Sequence, residues 1–186
     1  AENMEFGRAA ALRDRIKAMT QVQSSQGINP QGVPEADVIA LHMEAGQACV
    51  QVFFIRGNQN WGNRDYYPRI VGDVSTTEVM QAFVGQFYSD REPPRMVLLS
   101  DRIEDPDLMA DALAGKLGRR VEIAVPMRGE KLELVAGAKR NARESLARRM
   151  SETASQIKLL KGLAVAFDLP EPPRRIEVYD NSHIQG

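Results

Sequence analysis

Residues 37–44 (DVIALHME), the turn Ala45-Gly46 and residues 47–56 (QACVQVFFIR) decide the fold. In the first run Ile39, Leu41 and Met43 alternate with Val38, Ala40 and His42, the period of two that sends successive side chains to opposite faces of a strand. The second run is β-branched and aromatic nearly throughout, which is the content of a central strand. Downstream, residues 57–63 contain two glycines and read as a loop, and residues 65–71 return as a third strand. Pro68 places that strand at a sheet edge, because proline cannot donate to an interior ladder.

The period then changes. Thr76 or Thr77 caps a helix running through Tyr88, with Val79, Met80, Phe83, Val84 and Phe87 on one side. Pro93-Pro94 ends it, and residues 95–100 (RMVLLS) form a short unbroken apolar strand of the kind covered on both faces. A helix over 106–117, a strand over 120–125 and a long helix from about 129 to 166 follow. Short connections make the first three strands an antiparallel meander. Helical crossovers make the later strands parallel. The order predicts an α/β, RNase H-like mixed five-stranded sheet with helices over residues 35–168, and the likeness is one of fold.

Outside this block the pattern is different. Residues 3–19 have helical spacing, residues 21–34 (QVQSSQGINPQGVP) have the composition of a linker, and residues 169–173 (LPEPP) form a second one. Residues 175–179 read as a single strand, which can neither satisfy its own backbone nor bury a face, so residues 175–186 are expected to open a domain that continues further.

Composition narrows the function classes. Of 186 residues 43% are apolar, 24 are basic and 25 acidic, so general disorder and a uniformly basic nucleic-acid coat are both excluded. No run approaches the ~18 apolar residues of a membrane span, and no membrane partner is expected. The lone Cys49 excludes an intrachain disulfide and a CxxC metal ribbon, and fits a reducing cytoplasm. Two distant histidines, His42 and His183, give little support to a histidine metal site, and the glycines form no phosphate-cradling spacing.

The residues also carry a family resemblance. Residues 1–19 (AENMEFGRAAALRDRIKAM) resemble the second half of a UVR motif, the helical hairpin of the UvrB and UvrC subunits of the bacterial nucleotide-excision-repair nuclease. Phe6, Ala9, Ala10, Leu12, Arg13, Asp14 and Ile16 match its core pattern. Residues 174–186 (RRIEVYDNSHIQG) resemble the opening of the UvrC carboxy-terminal endonuclease domain, and GQACVQVFFIRG, QFYSD and VPMRGEKLELV look like the segment joining the two. The resemblance to the UvrC family implies damaged DNA and UvrB as partners, with Phe6, Ala9, Ala10, Leu12, Arg13 and Ile16 as the partner-binding face. It implies that Asp180 helps hold a catalytic Mg²⁺ or Mn²⁺ in the complete endonuclease. Hard oxygen ligands suit those ions, which orient a water and offset charge on a phosphodiester. One carboxylate does not make that site, and no cofactor is expected for this segment alone.

Two clusters are candidates for DNA contact. Residues 128–161 hold 9 basic and 4 acidic groups, and Lys139, Arg140 and Arg143 share one sector of the long helix, fitting either phosphate contact or a solvated face. Trp61, Arg64, Tyr66 and Tyr67 interleave aromatic and basic groups, fitting either stacked unpaired bases or hairpin packing. RNase H chemistry wants carboxylates in mid-strand one, on the first helix and at the end of strand four. Ala40, Leu41 and His42 stand at the first place, while Glu78 and Asp101 are candidates for the other two. The domain is therefore expected to be catalytically silent, holding the nuclease in register on DNA and UvrB. The rival expectation is a module that contacts protein only.

Overall fold

The computed structural model describes residues 29–177; the expectations for residues 1–20, Asp180 and His183 lie outside them. Five strands, β1 (Glu35–Glu44), β2 (Gln47–Arg56), β3 (Gln59–Tyr66), β4 (Met96–Leu99) and β5 (Glu122–Ala124), form one sheet in the order β3-β2-β1-β4-β5. β1 pairs antiparallel with β2 and parallel with β4, and β4 pairs parallel with β5. This is the mixed RNase H-like sheet that the sequence predicts. The helices are α1 (Thr76–Phe87), α2 (Pro106–Leu117) and α3 (Gly129–Ala166).

The alternation in β1 sorts the core onto two faces. Ile39 and Leu41 join Val50, Val52, Val97 and Leu99 under α1 and α2, against Val79, Met80, Val84 and Leu113. Ala36, Val38 and Ala40 face the other way with Phe53, Ile55 and Leu98, against Leu134, Val135 and Ala138 of α3. Small residues on β1 let α3 come close to the sheet. Val97, Leu98 and Leu99 are fully buried, as an unbroken apolar strand between helices must be.

The third strand differs from the sequence expectation. It covers Gln59–Tyr66 rather than 65–71, and Pro68 lies beyond it. Gly57 (φ 58°) and Asn58 (φ 61°) both take positive φ, forming the two-residue turn whose twist suits a hairpin, and Arg56 pairs directly with Gln59. The polar run 59–65 is tolerated because β3 is an edge with solvent on one side. Between the pairs Phe53–Asn63 and Ile55–Asn60 the strand carries an extra residue, a bulge around Trp61 and Gly62.

Residues 29–34, within the span read as linker, are tied to the domain. Val33 is buried, Glu130 accepts from the Gln31 and Gly32 amides at 2.5 and 2.9 Å, and Asn58 Nδ2 donates to the Gln31 carbonyl.

The cap of α1 is Ser75, one residue before the expected threonines. Its hydroxyl accepts from the Glu78 amide at 3.2 Å while the Glu78 carboxylate accepts from the Ser75 amide at 2.8 Å, a reciprocal capping box. These bonds hold the Glu78 carboxyl below its ordinary 4.5. The cap is therefore strongest above that value and weakens as pH falls through the lowered one. Ser75→Ala is expected to cost about 1 kcal/mol in urea unfolding at neutral pH.

The chain divides into two compact units after Leu146. In the second, α3 ends where Asp168 takes a left-handed conformation (φ 49°) and the Leu169 amide returns to the Ala164 carbonyl at 2.9 Å. That stop precedes Pro170. Residues 175–177, read as the start of a strand, carry no strand pairing.

Candidate nucleic-acid interface

In this frame the candidate carboxylate positions fall at Leu41 within β1, Glu78 in the first turn of α1 and Asp101 just after β4. Leu41 is buried, and its amide donates to Ser100 Oγ at 2.9 Å. Ser100 Oγ donates in turn to Asp101 at 2.5 Å, and Lys139 of α3 sits 3.7 Å from the same carboxylate. Glu78, the candidate for the helix position, is committed to the Ser75 cap. His42 lies 3.3 Å from Glu44, and Cys49 is buried. Among the described residues no three His, Cys, Asp or Glu side chains come together as a metal-holding group. Of the three candidate positions, Leu41 is apolar, Glu78 is the capping carboxylate of α1 and Asp101 pairs with Lys139.

The basic residues do not form one patch. Arg140 and Arg143 are exposed on α3, and Lys139, although half-exposed, is paired with Asp101. Arg64 is opposite Val52, so it shares the α1 side of the sheet, and its guanidinium lies 5.9 Å from the Tyr66 ring centroid. The α3 sector covers the other face. Trp61, at the bulge, is 67% exposed. The Tyr67 hydroxyl donates to Asp65 at 2.6 Å, and burial together with that carboxylate pushes its pKa up to about 12.

Residues 35–149 match the family model of the UvrC ribonuclease H-like domain. The chain belongs to that family. It is 73% identical over all 186 residues to the UvrABC system protein C of Ruegeria pomeroyi, 70% to that of Jannaschia sp. strain CCS1 and 55% to that of Rhodopseudomonas palustris strain BisB5. In each case the whole chain is matched, and it spans about 30% of the length of the curated relatives. No described helix is long and apolar enough to cross a membrane.

Within the family's fold, two groupings escape a reading by motif. The first is Asp37, near the amino end of β1 and away from the RNase H carboxylate positions. It is 3% exposed, with Arg56 at 2.9 Å and the Tyr88 hydroxyl donating to it at 2.8 Å. Burial pushes its carboxyl above 3.8, and the Arg56 charge and the Tyr88 hydrogen bond pull part of the way back. The only sequence signal was an acidic residue inside a strand buried on both faces. The second is an aromatic run on the α1 side: Tyr66 meets Phe83 and Phe87 edge-on at 5.4 and 5.7 Å, and Phe83 stacks on Phe87 at 5.5 Å. The helical stripe gave Phe83 and Phe87. Nothing in the sequence placed Tyr66 against them.

Proposed function

We propose that this chain is a segment of an excision-nuclease subunit acting in bacterial nucleotide excision repair in the cytoplasm, and that its RNase H-like domain positions the nuclease on damaged DNA and UvrB without cutting. The observation that carries the part without cutting is that, of the three candidate carboxylate positions, Leu41 is buried and apolar, Glu78 caps α1 and Asp101 pairs with Lys139. The names of the relatives support the repair system. A divalent Mg²⁺ or Mn²⁺ belongs, on this reading, to the complete endonuclease in which Asp180 takes part.

Phosphate contact through α3 falls to Arg140 and Arg143, since Lys139 is committed to Asp101. Changing all three to Gln removes charge while keeping helix propensity. Affinity for duplex DNA is expected to weaken, and the slope of log K against log salt to become shallower by about two units, at ~0.9 per phosphate. Fluorescence anisotropy over a salt series reads both. The rival, docking to protein alone, is favoured by Leu159, Val165 and Phe167, which are 73%, 84% and 70% exposed. A duplex affinity indifferent to salt would decide for it.

A further inference from the structure

Between β3 and the last turn of α1 lies an open cavity of about 380 Å³, within the ~300–1,000 Å³ of small-molecule sites. Tyr66, Phe83 and Phe87 form its aromatic wall, and Gln86, Asp90 and Arg91 stand on its polar side. The Arg91 guanidinium lies 4.5 Å over the Phe87 ring, and that of Arg64 5.9 Å from the Tyr66 ring. Each is a planar cation held against an aromatic face. The Tyr66 hydroxyl is buried and has no hydrogen-bond partner among the described residues. A buried hydroxyl without a partner is costly and points to a ligand that supplies one.

We propose that this groove takes an unpaired base of single-stranded DNA, stacked against the Phe83–Phe87 wall, with its edge on the Tyr66 hydroxyl and its flanking phosphates on Arg64 and Arg91. The chemistry matches on three counts. A base offers a π-face to the aromatic wall, and ring nitrogens or carbonyls to the hydroxyl. Its phosphates meet Arg91, which lines the cavity together with Asp90, and Arg64, which stands beside the Tyr66 ring outside that lining. An aromatic side chain of a protein would satisfy the first count and bring no anion for the third. The inference rests on the reading above that this domain meets DNA, and it adds a site on the sheet face opposite α3.

The test compares a short fluorescein-labelled oligothymidylate with a blunt duplex of equal length, each titrated with the whole chain. Tyr66→Phe keeps the ring, removes only the orphan hydroxyl and leaves the fold at least as stable. It is expected to weaken oligothymidylate binding about fivefold. Arg91→Gln is expected to weaken it by a similar factor and to reduce the single-strand salt slope by about 0.7. Neither should change duplex affinity. The proposal is overturned if both variants bind the oligothymidylate like the parent chain, or if they lose affinity equally for single strand and duplex. It is also overturned if a tryptophan-containing tripeptide, and not the oligothymidylate, shifts the Tyr66 and Phe83 ring resonances. A duplex affinity indifferent to salt and to the α3 substitutions strikes the positioning role and leaves the single-strand result to stand or fall on its own.

Discussion

Replacing Arg56 by methionine is expected to destabilise the domain by about 3 kcal/mol at neutral pH, the low end for breaking a buried ion pair because the arginine is itself 34% exposed. The loss is larger than a surface charge change because Asp37 stays behind, 3% exposed, with only the Tyr88 hydroxyl donating to it. Arg56 also donates to the Ala36 and Ile55 carbonyls at 3.0 and 2.8 Å, so the join between β1 and β2 loses those bonds as well. The pH dependence identifies the mechanism. A carboxyl whose folded pKa is raised binds its proton more tightly in the folded state, so stability is greatest below its ordinary 3.8 and is lost as pH rises through the raised value. Without the Arg56 charge Asp37 rises further. The deficit of the variant relative to the parent chain should therefore shrink as pH falls toward 3.8. The Glu78 cap weakens in the same direction, but it does so in both proteins and cancels. Urea unfolding across pH measures this, and adding Asp37→Asn to Arg56→Met should recover most of the loss at neutral pH. A deficit independent of pH would assign the cost to the lost packing of the arginine stem instead.

What was legible follows from which forces are local. β2 and the bounds of α2 and α3 are set by runs of one residue class and by punctuation such as Pro106 and Gly118, whose left-handed φ of 68° ends α2. The alternation of Ile39 and Leu41 with Val38 and Ala40 matches the two cores because a strand's period does not depend on its neighbours. β3 was misplaced because its asparagines and glutamine read as loop. What makes it a strand is the Gly57-Asn58 turn and the partner it returns to. Side-chain partnership was the least legible. Lys139 resembled Arg140 and Arg143 on the helical wheel, but only tertiary packing brings Asp101 to it. Strand register separates Arg64 from the α3 sector, and only the packing of α1 on the sheet brings Phe83 to Tyr66.

In a protein of the relatives' full length carrying this segment, Asp180→Ala is expected to abolish metal-dependent incision on the 5′ side of a lesion, and Asp101→Asn is expected to leave it unchanged. The two carboxylates look alike in sequence, each following a short strand-like run. Their settings differ. Asp101 accepts from Ser100 and faces Lys139, beside a buried Leu41 that offers no second ligand. Asp180 stands in the YDNSH context that resembles the endonuclease strand of the UvrC family, where a carboxylate helps hold the metal. A metal ligand acts on charge that develops in the transition state, so Asp180→Ala should depress the rate while leaving duplex affinity in place. The 186-residue chain alone, with one such carboxylate, should not nick DNA in Mg²⁺ or Mn²⁺. Incision of a lesion-bearing duplex, paired with anisotropy on the same substrate, separates chemistry from binding. Were Asp101→Asn to abolish incision at unchanged affinity, the reacting centre would lie in the domain described here, and the positioning role would fall with it.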